Sequence, residues 1–310
     1  MMYSAPPVIE TEVHARLPDN LRLLGERSNW IDSRDGKPMH SFLEGPSFDR
    51  DGNFYCVDIP FGRIFKVTPN GDWSVFARYD GEPNGLKIHQ DGRIFVADNK
   101  LGLLQFDPVT ADYLVVHDRP MFERFRGLND LVFAANGDIY FTDIGHSDLL
   151  RPDGRVFRLR YDGQLDLVVE GIAGPNGLVL NKDETILYVA ATRWNQVISI
   201  PLRSNYAGVG KVGVFVQLLG GPVGPDGMAM DEDGNLAVVA AGSGTVWVFN
   251  PMGEPIYRIR SCAGRRTTNL AYGGVGNKTL YITEAEQGVI LKAEMPTAGR
   301  LMYSHRTVTQ

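Results

Sequence analysis

The sequence predicts an all-β chain folded as a six-bladed β-propeller, and three observations lead there. One motif recurs six times, as EGPSFDRDGNFYCVD (44–58), PNGLKIHQDGRIFVAD (83–98), LNDLVFAANGDIYFTD (128–143), PNGLVLNKDETILYVAAT (175–192), PDGMAMDEDGNLAVVAA (225–241) and TNLAYGGVGNKTLYIT (268–283). The copies lie 40 to 50 residues apart, the period of a supersecondary unit that needs its neighbours to bury its faces. Each copy opens on an oxygen-bearing side chain at one register: Glu44, Asn84, Asn129, Asn176, Asp226 and Asn269, with glycine the commonest next residue.

Within a copy, a short run such as GPSF ends at a turn over 49–52 and a β-rich run, NFYCVD, follows. That is a hairpin. A second hairpin comes next in most copies: GRIFKV, the turn TPNG at 68–71, then DWSVFARY, with YDG at 161–163 and NPMG at 250–253 in the same place. Such tetrads are turn signals between strands, so each unit holds four antiparallel strands. Two stacked sandwiches would also use many short strands, but would not explain one polar register kept in every copy. The run at 11–15 is placed beside 288–292, where it completes the last blade. The chain is therefore expected to be a single domain over 1–310, with 1–43 supplying the closing strand and a long loop.

Composition narrows the function. A net charge of −6 and a pI near 5.6, with no basic stripe, exclude a nucleic-acid reader. No apolar run reaches the ~20 residues of a membrane-spanning helix, and the opening MMYSAPPVIETEV lacks the profile of an export signal. A cytoplasmic protein with no membrane partner is expected. Cys56 and Cys262 have neither zinc-ligand nor redox spacing and are expected to be reduced.

If the first strand of each blade is the innermost, the six opening side chains converge on the channel axis. Five are Asn or Asp and one is Glu. Any one of them alone would be read as shaping a turn, since Asn and Asp bond nearby backbone. Glu44 is a poor turn former, however, and sits at the same register. An oxygen-only set suits a hard divalent cation: calcium first, magnesium or manganese next, and zinc behind them because it prefers nitrogen and sulfur. Glu44, Asn176 and Asp226 are the candidate ligands, and the carboxylates Glu44 and Asp226 balance a divalent charge. A second set, Asp58, Asp98, Asp143 and Glu284, follows 14 to 15 residues later. These return to the same face farther from the axis, either to bind backbone amides or to support the inner ring.

Taken together, EGP at 44–46, RGLND at 126–130 with YFTD at 140–143, PNG at 175–177, PDGM at 225–228 and TNLAYGG at 268–274 resemble the gluconolactonase, senescence marker protein (regucalcin) and luciferin-regenerating group of six-bladed propellers. The resemblance spans about residues 40 to 293. It implies a divalent ion, usually calcium, held by Glu44, Asn176 and Asp226, with Asn129 contacting either metal or substrate and Arg126 contacting substrate. It also implies hydrolysis of a lactone, so the partner expected is a small-molecule lactone. The residues suit that chemistry, because a cation polarises an ester carbonyl and Asp226 can act as general base or as nucleophile, the base being preferred.

Two further residues are candidates at the rim. His146, in IGHSD, can assist from a loop or simply be solvated. Trp30, a large apolar group in a polar stretch, either docks against the body or lines the mouth as a substrate contact. The loops over the mouth, 16–43, 117–127, 144–153 and 203–224, set substrate choice, and Trp30, Phe122, Phe125 and Trp194 there favour a less polar lactone. Besides a lactonase, the same oxygen cage suits a phosphotriesterase-like hydrolase, or a non-catalytic propeller with a structural ion.

Overall fold

Alternation along the strands determines where the core lies. In the second strands of the blades nearly every residue is buried, Ile186, Ala240 and Tyr281 being the partly exposed ones, because successive side chains face opposite sides of the sheet and each side meets a neighbouring sheet. In FYCVD, Tyr55 and Val57 join an apolar cluster with Leu86, Ile94 and Val96, while Phe54 and Cys56 join another with Ala271 and Ile290. Six such clusters fill the six gaps between neighbouring blades. There is no single central core.

The computed structural model describes residues 5–34, 36–203, 208–218 and 224–306. Parts of the loops 16–43 and 203–224 therefore lie outside the described residues. The strands before the first blade are β1 (Val8–Glu10) and β2 (Glu12–Arg16). Blade one is β3 (Leu43–Phe48), β4 (Phe54–Asp58), β5 (Arg63–Val67) and β6 (Trp73–Arg78). Blade two is β7 (Pro83–Ile88), β8 (Ile94–Asp98), β9 (Gly102–Phe106) and β10 (Tyr113–His117). Blade three is β11 (Leu128–Phe133), β12 (Ile139–Asp143), β13 (Gly154–Leu159) and β14 (Leu165–Ile172). Blade four is β15 (Pro175–Leu180), β16 (Ile186–Ala191), β17 (Gln196–Pro201) and β18 (Gly213–Gln217). Blade five is β19 (Gly224–Met230), β20 (Leu236–Ala241), β21 (Thr245–Phe249) and β22 (Pro255–Arg260). Blade six is β23 (Thr267–Gly273), β24 (Thr279–Glu284) and β25 (Val289–Glu294).

The fold is a six-bladed β-propeller. The first strand of each blade touches the first strand of the next, from β3 through β7, β11, β15, β19 and β23 and back to β3. The N-terminal segment serves two blades. β2 runs antiparallel to β25, Glu12 opposite Lys292, and supplies the fourth strand of blade six. β1 adds a fifth strand to blade five by pairing parallel with β22, Val8 opposite Arg258. Between them Thr11 takes the amide of Cys262 on its Oγ1 and donates to the Arg260 carbonyl, which holds the kink.

Nothing in the repeats announces the C-terminal segment, which seals the channel at the end opposite the polar ring. Arg300 reaches the carbonyls of Leu180 and Asn181 and pairs with Glu184, and Tyr303 stacks on Phe133 at 4.8 Å. Ser304 donates to the Phe48 carbonyl. These contacts fall on blades one, three and four, so the segment ties distant parts of the ring together. Among the described residues no helix is long and apolar enough to cross a membrane, and Cys56 and Cys262 are both free thiols.

Candidate metal centre

Each innermost strand breaks its ladder once near the mouth. In blade one Leu43 pairs with Asp58 and Glu44 with Val57, then Ser47 with Tyr55, so Gly45 and Pro46 stand against a single partner residue. The same irregularity recurs in β7, β11, β15, β19 and β23. A bulge bends the strand and re-aims a side chain, and here it does so at the register of the polar ring. Glycine after the ring residue gives clearance to the next blade: a Cβ on Gly45 would meet the Asn84 carbonyl at 2.5 Å, and one on Gly177 the Asp226 carbonyl at 2.4 Å. Gly45 also has a φ of +57°, a conformation that L side chains rarely adopt.

The ladder corrects one ring member. Thr267 pairs with Glu284 as Leu43 pairs with Asp58, so Thr268, not Asn269, stands at the register of Glu44. Asn269 lies one position deeper, level with Asp130. Both side chains take the amide of the next residue on Oδ1 at 2.8 Å, and both occupy room left by glycine. A Cβ on Gly85 would meet Asp130 Oδ1 at 2.6 Å, and one on Gly227 would meet Asn269 Oδ1 at 2.1 Å. Asn269 Nδ2 donates to Glu44 Oε2 at 2.9 Å and to Asp130 Oδ2 at 3.2 Å. That second bond crosses the channel from blade six to blade three and floors the ring.

Above this floor Glu44 and Asp226 face each other closely enough to repel. Glu44 is 4% exposed, and Gly45 and Asn269 donate to its Oε2. Burial, then the charge of Asp130, nonetheless push its carboxyl up to about 8. Asp226 opens on the lumen and is only half-buried by surface, yet the channel wall encloses it. That enclosure, then Glu44 and Asp130, raise it well above the usual carboxylate range, against the pull of the Asn176 side chain and of Arg193. Two buried carboxylates held against each other favour protonation unless a cation joins them. Among the described residues no group of three His, Cys, Asp or Glu side chains could hold a metal ion. The donor set is instead two carboxylates with amide oxygens, hard oxygen ligands that fit a calcium-like ion. Asn176 bonds Asp226, and Asn129, 7% exposed, stands at the same register in blade three.

The other candidates lie apart from this cluster. Arg126 is exposed, and its guanidinium is occupied by the Asp153 carbonyl at 2.6 Å and the Asp153 carboxylate at 3.4 Å. His146 is exposed on the loop after β12. Trp30 is 5% exposed, packed with Ile59 and Phe61 and tilted on Phe42 at 5.1 Å with Arg34 over its face. Of its two readings, docking against the body describes this position. A ring so covered has almost no surface left for a substrate.

The carboxylates of the second set bind backbone. Asp58 takes the Phe42 amide and the Arg63 guanidinium, Asp98 takes amides of Glu82, Lys100 and Leu101 and the Tyr79 hydroxyl, and Asp143 takes those of Arg126 and Gly127. Each thus fixes the segment leading into the innermost strand of its own blade. Asp130, Lys87 and Arg193 are the nearby charges that the motif reading passed over. Asp130 was visible as the place where the usual glycine is missing. Arg193 is brought to the lip because Thr192 donates to the Pro225 carbonyl at 2.7 Å.

The profile described as SMP-30/Gluconolactonase/LRE-like region matches residues 42–286. The chain belongs to that family. A gluconolactonase of Zymomonas mobilis is 34% identical over 283 residues, covering 81% of this chain and 78% of the relative. The lactonase drp35 of Staphylococcus aureus is 33% identical over 228 residues, covering 70% and 69%. Among solved structures, a calcium-binding protein, regucalcin, from Agrobacterium tumefaciens superposes with a TM-score of 0.79 at 20% identity, covering 98% of this chain and 100% of that one. That likeness establishes the propeller. The family members named gluconolactonase and lactonase are the ones that bear on chemistry.

Proposed function

We propose that the protein is a divalent-metal-dependent lactonase acting on a sugar lactone or a similar small cyclic ester. The observation that carries this reading is the convergence of Glu44, Asn176 and Asp226 at one end of the channel, with two carboxylates in want of a cation. The relatives named gluconolactonase and lactonase support the substrate class. Glu44, Asn176 and Asp226 would hold the ion, with Asn129 beside them, and calcium is the ion that this oxygen set favours. A bound divalent ion supplies Lewis-acid polarisation of the ester carbonyl.

The chain's own residues do the rest. Asp226 accepts the proton of the attacking water, and a carboxylate raised by enclosure is a stronger base than a solvated one. Asn176 orients Asp226 through their side-chain hydrogen bond. Asn269 and the Gly45 amide fix Glu44, so neither carboxylate has to be recruited from solvent. Arg193, exposed at the lip beside Asp226, is placed to meet the polar end of a substrate; Arg126 is engaged with Asp153.

The reading is tested by following acid release from a panel of lactones with metal-stripped and metal-restored protein. Turnover of at least one lactone with calcium, lost on chelation and regained on re-addition, is expected. No turnover of any lactone with calcium, magnesium, manganese or zinc would remove the reading, and hydrolysis of a phosphotriester alone would replace it.

A further inference from the structure

The inward register three positions below the ring reads Ser47, Lys87, Val132, Val179, Ala229 and Ala271, aligned by their partners Tyr55, Phe95, Tyr140, Tyr188, Ala237 and Tyr281. Lys87 is the only ionised side chain at that level. Lys87 itself helps line a chamber of about 100 Å³ whose other walls are chiefly apolar, among them Val179, Ala229, Met230 and Met302, and which the C-terminal segment closes below with Arg300 and Arg306. An ammonium facing such a wall has reason to seek oxygen upward, since an unpaired charge against apolar surface is costly. Lys87 Nζ lies 3.2 Å from the Leu86 carbonyl, 3.4 Å from the Pro46 carbonyl and 3.9 Å from Asp130 Oδ1. Its side chain is only 21% exposed.

Lys87 thus stands directly under the Asp130–Asn269 floor. Asp130 is tied to the Leu131 amide and to Asn269, and Asn269 to Glu44. Three carboxylates, Glu44, Asp130 and Asp226, share this short stretch of channel, which is one more than a single divalent ion balances. We propose that Lys87 is a built-in counter-ion: it neutralises Asp130, keeps that carboxylate in the floor, and leaves Glu44 and Asp226 as the pair that meets a divalent ion. This assignment rests on the metal reading of the ring for its last clause only. It makes Lys87 a positioning residue that sets the charge of the site without touching substrate.

The proposal separates from an ordinary packing role because it predicts opposite signs for stability and affinity. In the Lys87→Met variant the metal-free protein should melt at lower temperature, since the buried Asp130 carboxylate then loses the ammonium beside it. The same variant should bind calcium about tenfold more tightly in a calorimetric titration, because the cation no longer competes with an ammonium below it. The Lys87→Arg variant, which keeps the charge, should stay near wild type in calcium affinity. In an Asp130→Asn background, Lys87→Met should lower the metal-free melting temperature by less than half as much as in wild type. Equal losses in both backgrounds would overturn the pairing with Asp130, whatever the ring binds. Weaker or unchanged calcium affinity in Lys87→Met would overturn the charge-setting role. If wild type binds no divalent ion at all, the metal reading of the ring fails, while the melting comparison still decides the pairing.

Discussion

The Asp226→Asn variant is expected to hydrolyse lactones with kcat/KM lowered about a thousandfold, the order of effect that a positioned general base supplies. Asparagine keeps the size of the side chain and one oxygen toward the channel, so the ring is not emptied. What it loses is the site for the proton and one of the two charges facing the ion. The fall should therefore appear in kcat more than in KM. Stability should move the other way. Asp226 is raised by burial and by Glu44, so a neutral amide there relieves repulsion, and the metal-free variant should melt above metal-free wild type. Active sites commonly hold such destabilising charge in exchange for function. Activity near wild type, in protein shown by titration to hold its ion, would rule out Asp226 as the base.

The second large effect concerns Glu44. The Glu44→Gln variant should lose at least about a hundredfold in divalent-ion affinity, because half of the negative charge offered to the cation disappears while the oxygen count is kept. The pH dependence follows from the same residue. Burial and Asp130 hold the Glu44 carboxyl near 8, above the roughly 4.3 of an unfolded chain, so the native state prefers it protonated. Its contribution to metal-free stability is present in full below about pH 4 and is lost as pH climbs through about 8. The ion needs the carboxylate, so binding below pH 8 must expel protons and must strengthen as pH rises toward that value. In Glu44→Gln the share of the stability decline and of the proton release that belongs to Glu44 should disappear, leaving that of Asp226. Unchanged affinity in the variant would take Glu44 out of the ion's coordination.

Much of this was legible in the chain because repetition makes a weak signal strong. A single PNG is a turn; six related openings at a period of 40 to 50 residues are a ring. Units that need neighbours to bury their faces leave the apolar runs of the middle strands between blades, and Gly52 and Gly71, with φ of +80° and +88°, close hairpins where turn residues stand. What stayed hidden depends on contacts that no period encodes. Thr268 and Asn269 are adjacent and both polar, so only the partner of Thr267 across the ladder decides which one joins the ring. β1 and the segment 299–306 pair with strands far away in sequence, Val8 with Arg258 and Ser304 with Phe48, and neither resembles a repeat. Trp30 admitted both a docked and a lining reading, because burial is a tertiary property. At the site the shared register of Glu44, Asn129, Asn176 and Asp226 was readable from residue type alone. The floor made by Asp130, Asn269 and Lys87 was not, although Asp130 marked itself by replacing a glycine.

A calorimetric titration of metal-free wild type with calcium at pH 7, repeated in two buffers of different ionisation heat, reads ion binding and proton release together. Saturable binding of one ion per chain is expected, with protons released to the buffer as Glu44 and Asp226 become carboxylates. Absence of saturable binding, or binding with no proton released and with the same affinity in Glu44→Gln, would contradict the metal reading of the ring.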